Sequence, residues 1–220
     1  MNTVCLVQEV KKVLSQWWSF RPLFRAVMLL KHGLGLDQDL GRALRLLDLQ
    51  PNERVLDIHC GCGESIASLA HCDAEVIVTD VCRLHVEAAR QEIRDRQLMG
   101  IRAVNFVNDR VPLEKNSCDA IICRMGLTSS SNPARLLAEA KRVLKPGGRM
   151  VVIEYQNIPE SRPFLAGIVW PAFMLLGLNP NKPWEGQVAR LIDVHLRDEY
   201  WNGLRVMVFG TKKAEPATTK

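Results

Sequence analysis

The residues with the clearest chemical potential lie in one stretch, Val55-Leu56-Asp57-Ile58-His59-Cys60-Gly61-Cys62-Gly63-Glu64. An apolar run ends around an acid, and two glycines follow. Glycine lets the backbone turn tightly and come close to a ligand with no Cβ in the way. A helix opening after the turn completes a design suited to a polar small molecule at the carboxyl end of a strand. A dinucleotide is the obvious competitor. Its fingerprint needs a third glycine for close helix–strand packing, and here Gly61-x-Gly63 is followed by Ile66. Asp57 would also repel a pyrophosphate.

A ligand with a cationic end fits Asp57 better. S-adenosylmethionine carries an ammonium, a sulfonium and no phosphate. Asp80 ends the next apolar run, roughly twenty residues on, where a carboxylate can accept both hydroxyls of a ribose. Val81 follows it. Asn108-Asp109 ends a third run, where an acid can accept from an adenine amino group, and Cys123-Arg124 ends a fourth. The candidate cofactor-binding residues are therefore Asp57, His59, Gly61, Gly63, Asp80, Val81, Asn108, Asp109 and Arg124. His59 is the sole catalytic candidate. It could narrow the pocket, hydrogen-bond the cofactor, or serve as a base near the transferred methyl. His195, Tyr155 and Tyr200 could reach the acceptor side, but a structural role is the simpler expectation for each.

These residues need elements to place them. Val55–Ile58, Val76–Asp80, Ala103–Val107, Ala120–Cys123 and Met150–Ile153 read as strands. Helices follow from Ser65, over Leu84–Leu98, and over Pro133–Leu144 with Pro133 in the first turn. Lys145-Pro146-Gly147-Gly148 reads as a turn. Strands alternating with helices predict a parallel sheet covered on both faces. Asp193–Tyr200, Asn202-Gly203 and Leu204–Phe209 predict a hairpin that closes one edge. The expected fold is a Rossmann-like, doubly wound, mostly parallel α/β sheet with an antiparallel closing strand and N-terminal helices. Of those helices, the third is capped by Asp37 or Asp39 and turns Leu40, Ala43, Leu44 and Leu47 inward.

The chain has 220 residues, 47% hydrophobic and 24% charged, with a formal charge of +5. That suits one soluble α/β domain. Mild basicity is compatible with an anionic lipid surface or acidic substrate, and no arginine-rich, aromatic-interleaved run points to nucleic acid. The seven cysteines (Cys5, Cys60, Cys62, Cys72, Cys82, Cys118, Cys123) are odd in number and lack zinc-type spacing, so they read as reduced thiols of a cytoplasmic protein, with no metal. No secretory leader is visible. The apolar run Phe164–Leu178 is short for a membrane span and carries Pro171.

The ordered motifs resemble those of class I S-adenosylmethionine-dependent methyltransferases. They are Asp57-Ile58-His59-Cys60-Gly61-Cys62-Gly63, the acid Asp80, Asn108-Asp109, Ser117-Cys118-Asp119-Ala120-Ile121-Ile122 and Leu144-Lys145-Pro146-Gly147-Gly148. The resemblance covers roughly Pro51 to Tyr155. Met125-Gly126-Leu127 and Arg142 through Tyr155 are similar to the ubiquinone/menaquinone-biosynthesis C-methyltransferases. Those read Gly-Leu-Arg-Asn where this chain has Thr128 and Ser129 in the last two places. They also carry a Tyr-Asp-x-x-Asn segment near the N-terminus that is not found here. His59 stands where the pattern has its first glycine.

The resemblance implies methyl transfer from S-adenosylmethionine to a small acceptor. Surplus apolar residues in 164–178 and around Trp17, Trp18, Phe20 and Phe24 suggest that the acceptor is hydrophobic or lipid-like. The expected organisation is a helical lid or membrane-facing segment over 1–50, a methyltransferase domain over 51–213 with acceptor-covering structure over 156–190, and a disordered tail over 214–220. Lys11, Lys12, Arg21, Arg25 and Lys31 make peripheral membrane contact through the N-terminal helices a second expectation. The rival reading is a non-catalytic S-adenosylmethionine-binding or interaction protein, motivated by His59.

Overall fold

The computed structural model describes residues 36–61, 63, 65–106, 110–156, 179–200 and 203–214. The elements are α1 (Leu36–Leu47), β1 (Arg54–Ile58), α2 (Ile66–Leu69), β2 (Glu75–Asp80), α3 (Arg83–Asp95), β3 (Ile101–Asn105), β4 (Cys118–Arg124), α4 (Gly126–Ser129), α5 (Pro133–Val143), β5 (Leu144–Tyr155), α6 (Glu185–Leu191), β6 (Ile192–Tyr200) and β7 (Arg205–Lys212).

The strands form one sheet in the order β3-β2-β1-β4-β5-β7-β6. β1 pairs in parallel with β2 and β4, β2 with β3, and β4 with β5. β7 runs antiparallel to both β5 and β6. The chain winds outward from β1 to β3, then crosses back to β4. The crevice at this reversal, at the carboxyl ends of β1 and β4, is where open α/β sheets bind ligands.

Alternation along buried strands supplies two cores. Leu56, Ile58, Ile77, Ile121, Cys123 and Val152 face α5 and α6, where Leu137, Val143, Trp184 and Val188 meet them. Val55, Val78, Ile122, Val151, Ile153 and Met207 face the other way, against Leu40, Ala43 and Leu47 of α1 and Ile66 of α2. Each such side chain, fully buried, contributes about 1.5–3 kcal/mol. Asp57, Asp80, Arg124 and Arg205 fall on the second face, near the carboxyl edge of the parallel strands.

Several expectations need correction. Asp39 lies within α1 and is not its N-cap, and the side chain of Asp37 lies outside what is described. Asp39 is instead buried in an ion pair with Arg205. β3 starts at Ile101, two residues before the expected Ala103. Residues 145–148 form an irregular opening within β5, with Pro146 and Gly147 exposed and a register shift opposite Cys118/Ala120. α4 and α6 were not foreseen, being too short to display a periodic face. The first two expected helices, the segment 164–178, Asn202 and the tail beyond 214 lie outside the described residues.

Candidate functional site

Asp57 sits on the buried β1, and its carboxylate is fully enclosed. Oδ2 accepts from the Ser65 hydroxyl at the start of α2. Oδ1 is buried and has no hydrogen-bond partner. Burial pushes this carboxyl above the usual range, against the opposing pull of Arg124 and the Ser65 hydroxyl. The Nε of Arg124, at the end of β4, is likewise buried with no hydrogen-bond partner. Unsatisfied buried polar atoms are uncommon and point to something further that binds there.

The turn after β1 is held by its backbone. The N–H groups of His59 and Cys60 both donate to Thr79 O, at 2.8 and 2.9 Å. His59 therefore adopts φ +71°, a region that favours glycine. Gly61 has φ +60° and nothing within 4 Å of where a Cβ would project. Gly63 is packed instead: at φ +90°, its Cβ would lie 2.7 Å from Ile66 Cδ1 and 3.2 Å from the Ala89 backbone. One glycine borders open space and the other keeps α2 and α3 close.

Asp80 is 1% exposed. Oδ2 accepts from Gly61 N–H at 3.0 Å and Oδ1 from Cys82 N–H at 2.8 Å. His59 Nδ1 lies 3.7 Å from Oδ2, and His85 Nδ1 lies 3.3 Å from Oδ1. Burial opposes ionisation, but the two imidazoles and the Cys82 N–H outweigh it and hold the carboxyl below the usual range. Val81, next in the chain, is half exposed. Asn108 and Asp109 lie outside the described residues. The segment that follows them is clamped: Glu139 accepts from Val111 N–H at 3.0 Å, while Arg142 donates to Val111 O and Leu113 O at 2.9 and 2.7 Å.

The structure thus brings Asp57, His59, Gly61, Asp80 and Arg124 to the crevice. Gly63 braces it from behind. His195 is exposed on the edge strand and bonds Thr211 at 2.9 Å. The rings of Tyr155 and Tyr200 lie 5.2 and 5.9 Å from the Arg205 guanidinium carbon, a structural cluster.

The sequence reading missed Glu154, Ser129 and His85. Glu154 is fully buried and accepts from Leu127 N–H at 2.6 Å, from the Thr128 hydroxyl at 2.5 Å and from Thr128 N–H at 3.3 Å. It caps α4 from a neighbouring strand. Burial outweighs these bonds and raises its carboxyl to about 7. An acid closing the apolar run Met150–Ile153 was the available signal. Ser129 Oγ lies 3.2 Å from His59 Nε2, a contact between positions seventy residues apart that no local pattern reveals.

The residues present fit a ligand such as S-adenosylmethionine. Asp57 offers a buried carboxylate oxygen with no hydrogen-bond partner, and Gly61, in the turn that follows, offers open space. Among the described residues no three His, Cys, Asp or Glu side chains converge as metal ligands, and no helix is long and apolar enough to cross a membrane.

Residues 56–152 match the methyltransferase domain family. A demethylmenaquinone methyltransferase of Clavibacter sepedonicus is 37% identical over 110 residues, covering 49% of this chain and 43% of the relative. A ubiquinone/menaquinone biosynthesis C-methyltransferase of Bordetella parapertussis is 30% identical over 151 residues, covering 67% and 54%. The chain spans about half the length of these curated relatives. A methyltransferase from Aquifex aeolicus superimposes with a TM-score of 0.60 at 20% identity, over 80% of this chain and 90% of that one. Geranyl diphosphate C-methyltransferase from Streptomyces coelicolor does so with a TM-score of 0.66 at 14% identity, over 80% of each. At these identities the superpositions speak to fold.

Proposed function

We propose that the chain is a class I S-adenosylmethionine-dependent methyltransferase, a reading supported by its match to the methyltransferase domain family and by its sheet order, and that it transfers the cofactor's methyl group to a small, hydrophobic or lipid-like acceptor. The observation that carries the reading is the crevice between β1 and β4. There a buried, half-satisfied carboxylate (Asp57) is followed, in the turn after β1, by a left-handed glycine (Gly61) with open space where a side chain would be.

S-adenosylmethionine supplies a methyl group activated by its sulfonium, so the protein's part is largely alignment. In this reading Asp57 and Arg124 face the methionine end, Asp80 takes the ribose hydroxyls, Val81 packs against the adenine, and Asn108 and Asp109 receive its amino group. The Glu139–Arg142 clamp steadies the segment next to that subsite. Gly61 admits the cofactor backbone-close. His59 is the one candidate for a base near the transferred methyl.

The acceptor class draws support from the names of the curated relatives, a demethylmenaquinone methyltransferase and a ubiquinone/menaquinone biosynthesis C-methyltransferase. It also draws support from the apolar surplus of 164–178 and of the N-terminal segment. These segments are proposed to roof the acceptor, within the divisions 1–50, 51–213, 156–190 and 214–220 set out above; peripheral membrane contact through the first is part of the same proposal.

Thermal shift with S-adenosylmethionine or S-adenosylhomocysteine tests cofactor binding, since a ligand of the native state raises the melting temperature. Radiolabelled methyl transfer into lipid and aqueous fractions of a cell extract tests the acceptor class. Trp170→Ala should reduce transfer more than cofactor binding. Stabilisation without transfer to any fraction would favour the rival reading of a non-catalytic binder.

A further inference from the structure

Two departures from the family pattern meet in space: His59, standing for a glycine, and Ser129, standing for an asparagine. Their contact is Nε2···Oγ at 3.2 Å. Gly126 makes room for it, because a Cβ there would lie 3.0 Å from His59 Cβ and 2.9 Å from Cys123 Sγ. The imidazole thus spans the crevice from the β2 acid to the turn after β4. We propose that His59, together with His85, is a clasp that closes the ribose subsite on Asp80, and that cofactor entry displaces it. The proposal rests on the cofactor reading above.

The hydrogen-bond roles follow from the donor inventory. Ser129 Oγ donates to Met125 O at 2.5 Å, and a carbonyl has no proton to give back. The hydroxyl proton is therefore committed, and His59 Nε2 must be the donor toward Oγ. That leaves Nδ1 facing Asp80 Oδ2 at 3.7 Å. A neutral ring would point a lone pair at the carboxylate, whereas a protonated ring points an N–H. Closure therefore favours the imidazolium. His85 approaches the other oxygen at 3.3 Å.

A carboxylate has about four acceptor positions. Two backbone N–H groups occupy one on each oxygen of Asp80, and an imidazole lies beside each oxygen as well. With the acid 1% exposed, the two imidazoles stand where a ribose diol would have to approach its oxygens. The charged and titratable groups facing His59 among the described residues are Asp80 on β2, Asp57 on β1 and, sharing Asp80, His85 on α3. Arg124 on β4 opposes them through Asp57. Carboxylates dominate this set, and with Nε2 donating to Ser129 they favour the protonated ring in the closed arrangement. Opening releases that proton, and cofactor affinity falls as pH falls.

The test has two arms. Calorimetry with S-adenosylhomocysteine, which has no group titrating between about pH 6 and 8, should show affinity up to about tenfold weaker at pH 6 than at pH 7 for one linked proton. His59→Gly, which restores the family residue, should bind more tightly at pH 6 and lose most of the dependence. Flat affinity in the wild type, or an equal fall in both proteins, would overturn the proposal. The second arm needs no cofactor. Imidazole nitrogen NMR of the ligand-free chain should find His59 titrating at lower pH in Asp80→Asn than in the wild type; no difference would also overturn it. If the wild type binds no cofactor at any pH, the methyltransferase reading fails, while the NMR arm still decides whether the clasp exists.

Discussion

Glu154→Gln should leave the protein about as stable as the wild type near pH 5 and make it more stable above pH 7. Glu154 is fully buried, and its carboxyl moves from an ordinary 4.5 to about 7 in the fold. The fold therefore prefers the protonated form. Between those values the folded chain holds a proton that the unfolded chain has released, so stability falls as pH rises. At about 1.4 kcal/mol per pH unit, the loss is about 3 kcal/mol by the upper end. Glutamine resembles the neutral acid. Its oxygen can accept from Leu127 N–H and its amide can donate to the Thr128 hydroxyl, while the Thr128 N–H at 3.3 Å and the hydroxyl's own proton lose their acceptor. The assay is urea unfolding of both proteins from about pH 5 to 8, followed as the difference between them. A difference that does not change with pH, or a variant that becomes weaker than the wild type at high pH, would refute the reasoning.

The two turn glycines should respond oppositely. Gly63→Ala places a Cβ against Ile66 and the Ala89 backbone at φ +90°, which should cost about 1–3 kcal/mol of stability in thermal melts. Gly61→Ala meets open space and should cost only about 1 kcal/mol, but should weaken cofactor binding measured by calorimetry. Asp39→Asn leaves the Arg205 guanidinium, 1% exposed, without its carboxylate and should destabilise the chain by about 3–5 kcal/mol in denaturant unfolding. Asp80→Ala should weaken S-adenosylhomocysteine binding by about 1.5–3 kcal/mol at pH 8, where two charge-assisted bonds are lost.

The parallel sheet was readable because strands such as Val76–Asp80 and Ala120–Cys123 are apolar on both faces and separated by helical stretches. The closing hairpin was readable from Asn202-Gly203. The reading failed where tertiary contacts decide the structure. The acid at Asp39 looks like a cap in sequence, but pairing with Arg205 places it inside the helix. α4 is only four residues long and owes its start to Met125 at φ +52° and to Glu154. Of the candidate site, Asp57, Gly61 and Asp80 were legible from a strand-end acid and a glycine turn. The partners of Asp80 were not, because His85 is an ordinary helix residue in sequence and His59 reaches Ser129 across the sheet. At Gly63 the glycine pattern does not show that a side chain would run into Ile66 and Ala89, which only the packing of the folded chain reveals.

Binding of the demethylated cofactor at the β1 turn is the claim on which the rest depends. It is tested most directly by calorimetric titration of S-adenosylhomocysteine at pH 8 into the wild type and into Gly61→Val, with circular dichroism confirming that the variant is folded. The account predicts saturable one-site binding to the wild type and none to the variant. Failure of the wild type to bind, or equal binding by a folded Gly61→Val, would contradict it.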